Sequence, residues 1–390
     1  MKRRFALAAL VAGVLIGYML PVAFTPTGQQ PSLTPVVTTV TSTERTPSTT
    51  TDAPVESTVT AMPVAAIFLV WATGGLPEEL VDSLRQTFGE VSIVQGDVVE
   101  LSAAGGRLIP LDALALDPAA HAFYDRSTEL GGLVPGSVVL GQASARLRQA
   151  ELGDILNLDG SDFVVVAVVS DLVIGAAEVA FNALDPGLPI TTDRFALIRS
   201  DMARQQFEDL VRGLYDGPAP LRIRSEGETP WLRHGDAVLP QVLIKEALGE
   251  FSYSQVDGTT FDQDQAFIDG HIVTSRVPLL GEVRCHHIVV DMLTGAMTEL
   301  VEEGLAYLVE PAGFAGCWFP RFISPAVGVS SGVSRHAWGA AIDINASSNP
   351  VGSSGNQDPR LVETMKRWGF TWGGDWLVPD PMHFEFATQR

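Results

Sequence analysis

Residues 334–345 read SRHAWGAAIDIN, and the architecture of the C-terminal part turns on this stretch. From Gly339 onward small, apolar and polar side chains alternate. Ala340, Ile342 and Ile344 share one face of a strand, and Ala341, Asp343 and Asn345 share the other. A half-buried strand thus presents Asp343 as a polar group. His336 stands seven residues earlier, across Trp338 and Gly339, where a turn brings its ring back beside Asp343. Taken alone, the stretch also fits a half-buried histidine and a solvated aspartate.

A second element, PDPMHFEF at residues 379–386, sharpens the reading. Met382, Phe384 and Phe386 form one face and His383 and Glu385 the other. Asp380 precedes a proline, which biases it to extended geometry. If the two strands are neighbours, His336, Asp343 and His383 converge. Two imidazoles and a carboxylate match a catalytic zinc site with water in the fourth position. Asp380 is then a nearby carboxylate able to take a proton from that water, and Glu385 a group that orients a histidine ligand. On spacing alone, ordinary core or surface roles for each residue stay open.

The rest of the chain sets the context. It has 390 residues, 46% of them hydrophobic, enough for two domains and accessory segments. The net charge of −21 excludes nucleic acid as an expected partner, since phosphate binding needs clustered Lys and Arg. After Met-Lys-Arg-Arg, residues 5–24 form an uncharged run (FALAALVAGVLIGYMLPVAF), just long enough to span a bilayer. Its exit is a poor cleavage site, so residues 1–24 are expected to stay as a membrane anchor rather than leave as a signal segment. Lys2, Arg3 and Arg4 then remain cytoplasmic, and everything downstream lies outside the cell membrane. The two cysteines, Cys285 and Cys317, are expected to pair there. They lack the C-x-x-C spacing of a thiolate metal pair.

Residues 25–63 are rich in Thr, Pro and Ser, show no apolar period and read as a disordered spacer about 35 Å long on average. Residues 64–228 read as an α+β accessory domain. Strands are expected at 64–71, 91–94, 98–101, 137–140 and 162–169, helices at 76–88 and 143–151, and a hairpin turn at 156–160. The order VVLGQASARLRQAELGDILNLDGSDFVVVAVV (138–169) resembles extracytoplasmic domains of some bacterial permeases. His121 is read as structural. A polar Gly/Pro stretch at 225–230 marks the boundary to a second domain, 229–390.

The motif SRHAWGAAIDIN, followed by WGFTWGGDW and DPMHFE, resembles the zinc D-alanyl-D-alanine carboxypeptidases and related cell-wall endopeptidases, the VanY-type family. The family pattern is S-x-H-x-x-G-x-A-x-D, then D/E-x-x-H. Ser334, His336, Gly339, Ala341, Asp343, Asp380 and His383 all fit it. The resemblance extends upstream through residues 245–251, 277–281 and 316–321, so it covers most of 231–390 and none of the first domain. It implies that His336, Asp343 and His383 ligate Zn²⁺, that Asp380 is the general base and later acid, and that an upstream arginine polarises the scissile carbonyl. Arg321 is the candidate for that arginine, with Arg335 as a rival.

Other features have plainer readings. Ser334 holds a turn. Trp338, Trp372 and Trp376 suit a cleft or a core equally. Gly373–Gly374 suits a tight turn, and His286 and His287 suit a packed or solvated pair. Residues 328–332 (GVSSG) match the serine-hydrolase elbow, which requires a following helix; the zinc-ligand candidate follows instead.

The expected protein is thus α+β. A C-terminal zinc peptidase domain with a central antiparallel sheet follows a separate α+β domain and an N-terminal membrane anchor. Its expected reaction is hydrolysis of a peptide bond in peptidoglycan stem peptides, first as a D-Ala-D-Ala carboxypeptidase. The alternatives are an endopeptidase cutting L-Ala-D-Glu or a cross-bridge, and a catalytically idle wall-binding or regulatory module.

Overall fold

The first strand, β1 (Ala66–Ala72), shows why its sequence is apolar without a break. Phe68, Val70 and Ala72 face one hydrophobic cluster and Ile67, Leu69 and Trp71 another. A strand buried on both faces has no polar side to alternate with. This computed structural model describes residues 66–117, 129–188, 190, 192–225, 239–323 and 332–388. The anchor (1–24), the spacer (25–63), His121, residues 226–230 of the expected boundary and most of the GVSSG motif lie outside the described residues. Among the described residues no helix is long and apolar enough to cross a membrane.

The N-terminal region runs through α1 (Glu78–Phe88), β2 (Val91–Ser102), β3 (Leu108–Leu116), β4 (Ser137–Gly141) and α2 (Gln142–Arg148). It continues through β5 (Ile155–Leu158), β6 (Ser161–Val169), β7 (Val179–Asn182), β8 (Asp193–Ser200), α3 (Arg204–Gly213) and β9 (Leu221–Ser225). Strand β1 lies between β8 and β9, antiparallel to both. Helices α1 and α3 cover one side, where Leu80, Leu84, Phe207 and Val211 meet Phe68 and Val70.

The two strands expected at 91–94 and 98–101 are one. The ladder shifts register between Val94 and Gln95, and the chain continues through Gly96. A Cβ there would lie 2.5 Å from Arg194 Nε, so glycine is needed for the guanidinium to cross. The Gly96–Asp97 pair between the two expected strands is a close-approach point inside one strand. Strands β2, β3, β7, β4, β6 and β5 then form a closed circuit, completed by the single pair Leu101↔Leu158. Val99, Leu111, Ala113, Val138, Leu140 and Phe181 fill one hydrophobic cluster of this circuit.

The C-terminal region holds α4 (Gln241–Leu248), β10 (Tyr253–Gln255), β11 (Phe261–Gln263), α5 (Gln265–His271), β12 (Ile272–Val277), β13 (Gly281–His286) and α6 (His287–Glu302). Then follow β14 (Ala341–Asp343), α7 (Pro359–Arg367), β15 (Phe370–Trp372) and β16 (His383–Phe386). Helix α6 buries Val289, Leu293, Ala296 and Leu300, a period of three to four residues, in the core of this region. The small antiparallel sheet has the order β14-β16-β15. Cys285 and Cys317 form the expected disulfide.

The two regions are joined by charge as well as by backbone. β10 adds to β3 through Tyr253↔Leu108, and Arg107 Nη2 donates to the Ser252 and Asp262 carbonyls. Deeper, Lys245 Nζ lies 2.9 Å from Glu178 Oε2 and donates to the Pro110 carbonyl at 2.6 Å. Arg148 bridges Glu178 and Glu250 at 2.6 and 2.7 Å. Gln241 donates to Glu178 Oε1. Burial disfavours the Glu178 carboxylate, but the Lys245 and Arg148 charges outweigh it and hold its pKa below 4.5. Its contribution to stability is therefore complete above that value and lost as the pH falls beneath it.

Lys245→Met would leave the buried Glu178 with one cation fewer. The expected loss is about 3–5 kcal/mol in urea unfolding; a change under 1 kcal/mol would show that the cluster does not bear on docking.

Candidate metal centre

Strands β14 and β16 are antiparallel neighbours in a register that sets Asp343 directly opposite His383. Cross-strand partners are the closest side-chain pairs a sheet provides. His383 Nδ1 lies 3.1 Å from Asp343 Oδ1. The third group arrives by a turn, as expected, while the strand expected from residue 339 starts later. Residues Arg335–Trp338 form a 3-10 turn, and the strand begins only at Ala341. Ser334 caps the turn, its hydroxyl accepting the His336 N–H at 3.3 Å. Gly339 closes it in the left-handed region at φ 61°. A Cβ at Gly339 would sit 2.5 Å from the His286 nitrogen, so the site doubly requires glycine. The outcome is His336 Nε2 at 3.3 Å from Asp343 Oδ2.

Hydrogen bonding specifies the tautomer of His336. Its Nδ1 is 2.6 Å from the Cys317 carbonyl, which only accepts, so Nδ1 carries the hydrogen. Nε2 of the neutral ring then bears a lone pair. It is buried without a hydrogen-bond partner and faces a carboxylate oxygen. A lone pair against a carboxylate is repulsive unless a cation stands between them. His336, Asp343 and His383 each offer a donor atom, all within 4.8 Å of one another. This donor set fits zinc. The disulfide at Cys317 secures the carbonyl that orients His336, an outer-shell role of the kind metal sites rely on.

Electrostatics point the same way. Burial disfavours the Asp343 carboxylate, yet the imidazoles of His336 and His383 beside it outweigh burial and hold it well below the usual range. Burial also opposes a charged His383, but Asp343 and Glu385 outweigh it and push its pKa up to about 10. The second nitrogen of His383 lies 3.5 Å from Glu385 Oε2, and Glu385 is buried. A positive charge belongs at this spot. In the metal-free protein a proton supplies it.

Asp380 sits on the loop before β16. Its N–H donates to Gly373 and its carbonyl accepts the His383 N–H. Gly373 has no room for a Cβ, which would meet the Asp380 carbonyl at 2.5 Å. Asp380 Oδ1 is buried without a partner. Burial, with the Asp343 carboxylate nearby, raises the Asp380 pKa above 3.8 against the charges of His383 and Arg321. Arg321 is thus close enough to act on Asp380 electrostatically. Among the described residues it has no carboxylate at salt-bridge distance; Nη1 reaches the Phe322 carbonyl at 3.4 Å. Arg335 is committed elsewhere, to the Leu239 carbonyl at 2.8 Å.

The tryptophans divide. Trp338 is fully buried and bonds the Gly249 carbonyl. Trp372 bonds the Pro381 carbonyl, and Trp376 lays its ring 5.1 Å from that of His383. Two groups escaped the sequence reading. Gln263 is buried, donates to the Ala337 carbonyl and accepts from Trp318; a lone glutamine carries no pattern. The Cys317 carbonyl is backbone and carries no residue signal at all.

His271, His286 and His287 form a second histidine group whose nitrogens lie close together. The rings stack, lying within 28° of parallel. His286 Nδ1 accepts the Ile288 N–H and Nε2 meets the Leu248 carbonyl, so both of its nitrogens are taken. Burial and the neighbouring His287 push His286 down to about 4.

Residues 328–386 match a family model described as D-alanyl-D-alanine carboxypeptidase. The matched segment contains His336, Asp343, Asp380 and His383 and begins after Arg321. No curated protein matches the chain. Among solved structures, the periplasmic region of MacB from Actinobacillus actinomycetemcomitans is similar, at 11% identity and TM-score 0.29, over 42% of this chain and 90% of that one. The extracellular domain of the noncanonic ABC-type transporter YknZ from Gram-positive bacteria is similar at 10% identity and TM-score 0.28, over 40% of this chain and 98% of that one. A domain of a permease protein from Porphyromonas gingivalis gives 14%, 0.27, 47% and 96% in the same order.

Zinc titration by calorimetry is expected to find one site that His336→Ala abolishes. Because His383 carries a proton at pH 7, binding should release about one proton, read from the dependence of heat on buffer ionisation. Binding without proton release would contradict this arrangement.

Proposed function

We propose that residues 229–390 form a zinc peptidase that hydrolyses a peptide bond in peptidoglycan stem peptides, with removal of the terminal D-alanine as its first activity. The observation that carries this reading is the convergence of His336, Asp343 and His383, with the His336 lone pair turned to the carboxylate. The match of residues 328–386 to the carboxypeptidase family model supports it. We place the catalytic region on the outer side of the cell membrane, tethered by residues 1–24, which suits a wall substrate and a disulfide.

His336, Asp343 and His383 would hold the ion. When bound, zinc supplies a Lewis acid for the scissile carbonyl and for the attacking water. Asp380 takes the proton from that water and passes it to the leaving amine. Its desolvated carboxyl has a pKa raised towards the working pH, which favours both directions of transfer. The Arg321 guanidinium steadies the negative charge that develops on the carbonyl oxygen. Glu385 holds the His383 ring in place.

The purified chain, incubated with pentapeptide-bearing muropeptides, should remove one terminal alanine by mass spectrometry. A chelator should stop the reaction and added zinc restore it. Cleavage inside the stem would move the activity to an endopeptidase; no cleavage by zinc-loaded protein would sink the proposal.

Asp380→Asn should lower kcat by about 10²–10⁴-fold while zinc content stays unchanged. In the wild type the base works only when ionised, so kcat/KM should fall as the pH is lowered; an acid limb that persists unchanged in Asp380→Asn would remove Asp380 from the role.

A further inference from the structure

Leu377 stands between Trp376, which lies on the His383 ring, and Asp380. Its side chain does not join the C-terminal core. It packs against the cluster built by Leu114, Leu116, Val139, Val169 and Ile174 of the N-terminal region. Among the described residues, it is the one side chain beyond residue 239 in that cluster.

The loop that carries it is tied within its own region near both ends. Asp380 N–H donates to the Gly373 carbonyl at 2.9 Å, and Trp376 N–H to the same carbonyl at 3.1 Å. Trp372 Nε1 donates to the Pro381 carbonyl at 2.8 Å, and Gly352 N–H to the Pro379 carbonyl at 2.7 Å. The apolar hold on the middle of the loop comes from across the molecule. That hold is useful only if the N-terminal region cannot drift. The buried Lys245–Glu178–Arg148–Glu250 cluster, with Gln241 on the Pro110 carbonyl, meets this condition.

We infer that Leu377 is a positioning residue through which the N-terminal region sets the place of Asp380 and Trp376 beside the metal ligands. The inference rests on the peptidase reading above. It gives residues 66–225 a part in turnover and none in holding the ion, because His336, Asp343 and His383 are mounted on C-terminal backbone alone. Small misplacements of a catalytic group weigh heavily on rate and little on ground-state binding, so the effect belongs in kcat.

The test uses the full zinc-loaded chain with Leu377→Ala and Leu377→Met. Hydrogen exchange of residues 373–382 is measured beside kcat, KM, zinc content and the unfolding midpoint. Leu377→Ala should speed exchange in this segment about 10-fold and lower kcat by roughly 10–100-fold. KM should stay within about twofold and zinc content at wild-type level. Leu377→Met, which refills the volume, should restore both exchange and kcat. Unchanged exchange in the alanine variant would overturn the inference, as would a fall in kcat matched by a fall in zinc content or unrestored by methionine. Should the wild type cleave no stem peptide, the peptidase reading falls, while the exchange measurement still decides whether the N-terminal region holds the loop.

Discussion

A carboxylate set between two imidazoles and largely withdrawn from water is the constraint on which the C-terminal region depends. Asp343 is 3.3 Å from one ring and 3.1 Å from the other. Removing such a charge from water costs several kcal/mol unless it is matched. Around it stand two further carboxyls, Asp380 and Glu385, and one guanidinium, Arg321. Neutral imidazoles leave this group short of positive charge. A dication together with Arg321 balances three carboxylates, and the Cys317 carbonyl has already turned His336 so that its free lone pair faces inward.

The fold meets that constraint with very little regular structure. β14 and β16 are three and four residues long. Their register, not their length, brings Asp343 and His383 together. The rigidity comes from the surroundings: the Gly316↔Asp343 bridge, the Ile344 N–H bond to Met382, the core packing of Ile342 and Phe384 and the disulfide beneath His336. Closing a 32-residue separation, that disulfide restricts the unfolded chain by about 3–4 kcal/mol on the chain-entropy model. It therefore secures His336 and the domain at once. Gly339 and Gly373 serve the same end, since each lets backbone approach where any side chain would clash.

Legibility in the sequence follows the range of the interactions. Alternation around Ile342 and Phe384 was visible because a strand with a buried face writes its period into the chain. The cap at Ser334 follows from a short-range rule, whereas the pairing of these two strands, some 40 residues apart, entered only as a condition. The turn before the strand was legible, but the strand's start at Ala341 was not, because Gly339 and Ala340 are as buried as strand residues. Gly96 read as a break for a related reason: the guanidinium that demands it, Arg194, is nearly a hundred residues away. The closure of β5 onto β2 rests on one residue pair. The buried Lys245–Glu178 contact joins residues that look like ordinary surface charges. None of these has a local signature.

That last contact bears on why the two regions meet through ions at all. A buried ion pair seldom adds stability over an apolar pair of equal volume. What it adds is selectivity: Lys245 and Gln241 find both Glu178 and the Pro110 carbonyl in one position only. An apolar interface of the same area tolerates sliding, because apolar contact is non-directional. Leu377 makes such a contact, and by itself would accept several placements of its loop. With the directional cluster elsewhere on the same interface, the apolar contact inherits a register, and the loop bearing Asp380 inherits it in turn.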